Sequence, residues 1–430
     1  MRAIWRYDAS KQNKGRKNMA DGTNPKDIPQ SIFQVSAFDP DARSDPHTPL
    51  KQLREHCPVM RDEMAKTWFL TRYEDIRATV NDRSYVRLPS KAEEGSLSRR
   101  LVDEESGEME QPSILFLDDP DHARIRLPLA KAFYARIQKM KPEIEAIIDE
   151  IIEAAPESGR FDLMNDIAVP IPVLVIARIL GVDENRLAEF RDWSEGVILS
   201  LNPVRTEEET AHLVRSADAI NAYFDDLIAA RRAEPQDDLV SDMVALQASG
   251  EADISDEELR RNLEALLVGG NLTTTDLIGN GVWLFLTHPD QLEALKADPG
   301  LAGQAVEEVL RYEAPVSATS RISPDEREIG GCPVKARQTV FCSLASANRD
   351  AGTFDQPDRF DITVKRPSHV AFGGGPHICI GAPLARIEAR HVYVKLFERY
   401  PDMKLADAPL VWRTLPFFRG LETLEVETGA

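Results

Sequence analysis

The sequence predicts one mainly α-helical domain with small β-sheets. Ile144, Ile147, Ile148, Ile151 and Ile152 repeat at helical spacing within Met140–Ala155. Ser255-Asp256-Glu257-Glu258 forms a capping box that opens a long helical segment running to about Thr287, ahead of Pro289. Short apolar runs at Val59–Asp62 and Thr67–Thr71 suit a hairpin. Length alone would permit two or three domains, but no internal repeat and no Pro/Gly/Ser linker divides the 430 residues.

Taken in order, residues 1–23 read as a basic, polar, disordered extension without the apolar centre of a signal peptide. A helix is expected around Leu50–Glu55, then the hairpin, then a helix over Tyr73–Asn81 with Ile76 and Val80 four apart. Ser84–Gln111 is polar, charged and glycine-containing, a long surface loop of the kind that often carries function. Asp118–His122 turns into a helix start. The Met140–Ala155 helix and the buried apolar segment Phe161–Leu180 follow, the latter closed by Gly181 as a C-cap. Two helices flank Asn202-Pro203 within Leu187–Arg232, and a shorter one covers Asp237–Gln247. Beyond the long helix, Ala305–Tyr312 is helical, Pro315–Arg321 reads as a strand and Ile329–Ser343 as a hairpin.

Composition excludes several functions. The formal charge of −20 argues against general nucleic-acid binding, which needs clustered Lys and Arg. No apolar run approaches the ~20 residues of a membrane-spanning helix. Cys57, Cys332, Cys342 and Cys379 are scattered without a pairing pattern, which points to a reducing cytoplasm.

The chemistry concentrates in Phe372–Arg386, F-G-G-G-P-H-I-C-I-G-A-P-L-A-R. Cys379 stands between a glycine-rich turn and a helix start, where unpaired N–H groups and the positive end of the helix dipole favour a thiolate. Such a thiolate could be a nucleophile, a disulfide partner or a metal ligand. The lack of a CxxC partner argues against zinc, an iron–sulfur cluster or dithiol redox chemistry. In the long helix, adjacent Gly269 and Gly270 cost roughly 1 kcal/mol each relative to alanine, and a flat ligand lying against them, with room for a small molecule, is one answer to what offsets that cost.

The cysteine run resembles the haem-binding loop of the cytochrome P450 family, F-x-x-G-x-x-x-C-x-G, and fits it at Phe372, Gly375, Cys379 and Gly381. The resemblance extends from roughly Asp27 to the C-terminus. It takes in E-x-x-R at Glu308 and Arg311 and a glycine–threonine stretch in the long helix, in family order. It implies a single-domain cytochrome P450 fold over residues 24–430. Cys379 would be the proximal ligand of haem b, with Phe372 and Gly381 beside it, and His122, Arg126, Arg321 and His377 would hold the haem propionates.

The implied activity is that of a soluble bacterial-type haem-thiolate monooxygenase. One atom of O2 would enter a small or medium-sized apolar substrate, by hydroxylation or demethylation. Electrons would come from a separate ferredoxin and reductase, with NAD(P)H acting only indirectly. A monomer is expected. The implied catalytic group is Gly270 and Thr273, with Thr273 guiding protons to dioxygen. The family's acid position falls on Leu272, a departure, because leucine cannot relay protons; Asp276 one turn later, or Asn271, is the substitute. Trp193, Val197, Ile198 and Leu201 are candidate substrate contacts, and Arg124, Lys131, Arg136, Lys139, Arg386 and Arg390 are candidates for the electron donor's dock. Three alternatives are a peroxide-using or isomerising enzyme on the same fold, a non-enzymatic haem sensor and a haem-free scaffold.

Overall fold

The computed structural model describes residues 28–101, 112–202 and 204–429. The extension 1–23, the distal part of the polar loop and Pro203 lie outside the described residues.

Helices make up most of the molecule, and one organises it. Asp256–Thr287 starts at the capping box, where the Ser255 hydroxyl accepts from the Glu258 amide and the Glu258 carboxylate accepts from the Ser255 amide. Past its first turns it is buried on nearly every side, from Leu263 through Phe285. A helix so enclosed needs neighbours all round. They are Pro170–Leu180, Leu187–Ile198, Glu207–Ala233 and Ala382–Arg399. Tyr393 locks the last of these in place by donating to the Leu277 carbonyl at 2.6 Å, with its hydroxyl lying where a side chain on Gly281 would sit.

The expected helices are present, with two corrections. Asp121–Ala154 is one continuous helix through Pro128 and Pro142, so Met140–Ala155 is its C-terminal half. Ile125, Leu129, Phe133, Ile137, Ile144 and Ile148 keep one buried face along the whole length, and that packing outweighs the proline interruptions. The proposed Ile329–Ser343 hairpin divides. Arg327–Ile329 pairs with Cys332–Val334, while Thr339–Ser343 enters the main sheet. That sheet has the order 59–62, 67–70, 339–343, 318–322, and its Thr67–Leu70/Thr339–Ser343 pair is parallel. Parallel pairing joins segments far apart in sequence, which local patterning cannot reveal. Small sheets near the C-terminus pair Val411–Trp412 with Leu421–Thr423, and Glu425–Thr428 with both Gly159–Asp162 and Lys404–Leu405.

Two buried charge networks tie these layers together. Arg311 donates to both Glu308 oxygens at 2.7 and 2.8 Å and to the carbonyls of Asn348, Pro357 and Arg359. Glu313 bridges Arg419 at 2.7 Å and His47 at 2.9 Å, with Arg349 at 3.5 Å, linking the helix His47–His56 to the C-terminal turn. Burial pushes the Glu313 carboxyl up, but His47, Arg419 and Arg349 together hold it well below the usual range.

Candidate active site

Cys379 lies two residues before the N-cap of Ala382–Arg399, as its sequence context implies. Its amide donates to the Phe372 carbonyl at 3.0 Å, closing the loop on itself. Gly375 must be glycine: its φ is +63° and a Cβ would lie 2.5 Å from the Val80 carbonyl oxygen. Its amide is fixed by Asn81 Oδ1 at 2.9 Å, so the loop is seated on the end of the Tyr73–Asn81 helix. Phe372 is braced from below, with the Arg386 guanidinium 4.6 Å from its ring centroid and itself paired to Glu307 at 2.6 Å.

Cys379 keeps exposed surface, although the protein around it desolvates the thiol. A Cβ on Gly381 would sit 3.8 Å from Sγ, and its absence leaves the sulfur clear on that side. The thiolate expected from the helix terminus needs correction. Burial pushes the Cys379 thiol up, and this outweighs the Gly381 and Ala382 amides and the Arg126 and Arg386 charges that pull it down. A metal cation bound at the sulfur would reverse that balance.

Beside the cysteine loop, the four expected carboxylate-binding residues come together. His122 and His377 have ring centroids 4.1 Å apart, and Arg126 donates to the Ile378 carbonyl. Arg321 is buried and reaches the Gly374 and Val80 carbonyls at 3.4 Å each. A fifth member of the cluster, Arg87, was not legible in the sequence, where it is one arginine in a polar loop. Burial pushes Arg87 down to about 9, with Arg321 adding repulsion. Burial likewise lowers both histidines, and His377 is further lowered by Arg87, His122, Arg321 and Arg126. His122 Nε2 and Arg87 Nε are buried without a hydrogen-bond partner among the described residues. Mutual repulsion with unpartnered donors is the signature of a site built for anions. Haem carries two carboxylates and takes an axial cysteine ligand, and a cluster of arginines and histidines beside the Cys379 loop fits both.

On the central helix the paired glycines differ. A Cβ on Gly269 meets nothing within 4 Å, whereas one on Gly270 would be 3.4 Å from Ile176. Of the two, Gly269 faces open space and Gly270 faces Ile176. Thr273 Oγ1 donates to the Gly269 carbonyl at 2.8 Å, so its proton is engaged and its lone pairs remain free to accept. Leu272 is half-buried beside it.

Asp276 is not a freely hydrated relay. It is fully buried, paired with Arg413 Nε at 2.9 Å, and packed where any side chain on Gly420 would sit. Burial raises its pKa to about 6, with Arg413 pulling the other way. A folded pKa above the unfolded value means the native state binds the proton more tightly. Stability then falls as pH rises from about 4 to about 6, by about 3 kcal/mol in all. Asp276→Asn is expected to remove that decline, seen as a flatter melting temperature between pH 4 and pH 7.

Other candidates sort by their partners. Trp193 stacks edge-on to Phe190 at 5.3 Å and lies under Arg186 at 5.1 Å, so it packs helices together. Ile198 is buried, while Val197 and Leu201 stay partly exposed. Of the docking candidates, Arg124 pairs with Glu258, Arg136 with Asp237 and Asp242, Lys139 with Asp237, and Arg386 with Glu307. Lys131 and Arg390 remain exposed, with no ion pair among the described residues.

Comparison with known proteins agrees with this geometry. A family model described as Cytochrome P450 matches residues 301–405. The chain is 36% identical over 415 residues to Cytochrome P450 107B1 of Saccharopolyspora erythraea, covering 93% of this chain and 99% of that protein. It is 34% identical over 395 residues to 6-deoxyerythronolide B hydroxylase of the same organism, covering 87% and 94% respectively. A crystal structure of P450BioI in complex with hexadec-9Z-enoic acid ligated acyl carrier protein superposes with a TM-score of 0.81 at 32% identity, covering 90% of this chain and 99% of that one. Similarity of this depth along almost the whole chain, with a cysteine loop and an anion cradle to match, places the protein in the cytochrome P450 family, among its bacterial monooxygenases.

Proposed function

We propose that this enzyme inserts one atom of O2 into a C–H bond of a small or medium-sized apolar molecule, using electrons from a separate ferredoxin in the cytoplasm. The observation that carries this reading is the anion cradle against the cysteine loop. His122, Arg126, Arg321 and His377 would hold the haem propionates and Cys379 the iron. Haem b, when bound, supplies the iron at which dioxygen is reduced. The chain supplies the rest. Gly269 leaves room over the ring, half-buried Leu272 keeps that surface apolar, and Thr273 accepts a hydrogen bond from a water and so sets where protons are delivered.

Among the described residues no helix is long and apolar enough to cross a membrane. The names of the relatives support an apolar substrate of some size, since one hydroxylates 6-deoxyerythronolide B and another structure holds a fatty acyl chain on its carrier protein. For the electron donor, a groove of about 560 Å³ on the cysteine side is lined by Lys141, Arg386, Arg390 and His391, with Glu145 and Glu307 among them. Exposed Arg390 gives an acidic ferredoxin a contact there.

One observation favours a second reading. With leucine at position 272 and Asp276 committed to Arg413, the usual acid for proton delivery is missing, which suits peroxide as the oxidant. Turnover with ferredoxin, reductase and O2 is expected to exceed turnover with hydrogen peroxide, with label from 18O2 in the product; turnover on peroxide alone overturns the monooxygenase reading. Leu272→Asp is expected to lower the share of reducing equivalents lost as hydrogen peroxide. Unchanged coupling and rate would remove Thr273 from the proton route.

A further inference from the structure

We infer that Arg87 is a third guanidinium of the porphyrin-carboxylate cradle, through which the segment 84–101 is tied to the bound cofactor. This rests on the haem reading above. The Arg87 backbone is pinned from two sides. Its amide donates to Asp118 Oδ1 at 2.6 Å, and the preceding Val86 exchanges both backbone hydrogen bonds with Ile322, at 3.1 and 2.8 Å, one residue from Arg321. The Asp118 carboxylate, the obvious neutraliser, is spent on the Arg87 and Leu88 amides and on Lys91 Nζ at 3.0 Å. The Arg87 guanidinium makes no hydrogen bond or ion pair among the described residues, and its Nε is buried.

An arginine is long enough to reach solvent from most loop positions. Holding this one half-buried, with its Nε shielded from water and Arg321 repelling it, is unfavourable unless an anion is shared between them. The only anion the site requires is a porphyrin carboxylate, and a bidentate guanidinium suits it.

The consequence has opposite signs in the two forms of the protein. In the haem-free protein Arg87 is a half-buried charge with no ion-pair partner among the described residues, so Arg87→Ala should raise the melting temperature. In the haem-bound protein it is a ligand, so the same change should speed haem loss to an acceptor globin by about 10–100-fold, the usual effect of losing a supporting contact. Arg87→Lys should fall between. Apoprotein reconstituted with protohaem dimethyl ester, which lacks the carboxylates, should release its haem equally fast from the parent and from Arg87→Ala. Hydrogen exchange over 84–101 should slow on binding haem but not on binding the ester. A structural role for Arg87 would lower the stability of both forms and affect both haems alike, and either result overturns the proposal. A parent protein that binds no haem fails the underlying reading instead, and is seen before any variant is made.

Discussion

Replacing Cys379 by serine is expected to abolish the long-wavelength Soret band of the reduced carbonyl complex and with it monooxygenase turnover. The reason is electronic. Thiolate is the ligand that pushes electron density towards iron, and a neutral hydroxyl neither binds nor donates comparably. The substitution removes a single interaction. The Cys379 amide still donates to Phe372, Gly375 still seats the loop on Asn81, and Tyr393 still locks the following helix to the central one. The haem-free melting temperature should therefore stay at the parent value while the spectrum changes. Because burial holds the free thiol protonated, haem loading by the parent should also release a proton, and the variant should release none at this site. A parent protein that is folded and colourless with haem supplied, or that never shows the band, ends the haem-thiolate reading.

The largest effect on stability is expected at Arg311. The guanidinium has five N–H donors, and Glu308 together with three backbone carbonyls accepts from all of them at 2.7–3.0 Å. Both side chains of the pair are almost completely buried. Breaking a buried pair by removing one partner costs about 3–5 kcal/mol, against a total domain stability of about 5–15 kcal/mol. Arg311→Leu should yield little soluble protein and a sharply lowered melting temperature by circular dichroism. The double variant Glu308→Leu/Arg311→Leu should recover only part of the loss. Removing both charges relieves the stranded carboxylate, whose remaining cationic partner is Arg366 at 3.1 Å, but leaves Arg366 and the Asn348, Pro357 and Arg359 carbonyls without their partners. Full recovery would show that the pair, and not its grip on the 348–359 segment, is what matters.

Where local rules govern, the sequence was a good guide. The capping box at Ser255, the Gly181 C-cap and the hairpin at 59–70 each depend on residues a few positions apart, so pattern and structure agree. The cysteine loop was legible for the same reason. Corrections arose where partners come from elsewhere in the chain. Asp276 looked available from its place on the helix, and Arg413, 137 residues later, occupies it. Gly270 and Gly269 are indistinguishable in sequence, and Ile176 on another helix separates them. Arg124, Arg136, Lys139 and Arg386 read as candidates for the electron donor's dock, and the folded chain supplies each with a carboxylate.

The sequence by itself determined the helical class, the order of the elements and the identity of the cysteine, because helix periodicity, capping and loop glycines are short-range constraints. Tertiary structure alone decided which cations face one another, which carboxylates are neutralised and which side of the central helix is open. Those properties depend on burial and on distances between residues remote in sequence, as with Arg87 and Arg321, and electrostatic energy is set by that separation and by the loss of water around it.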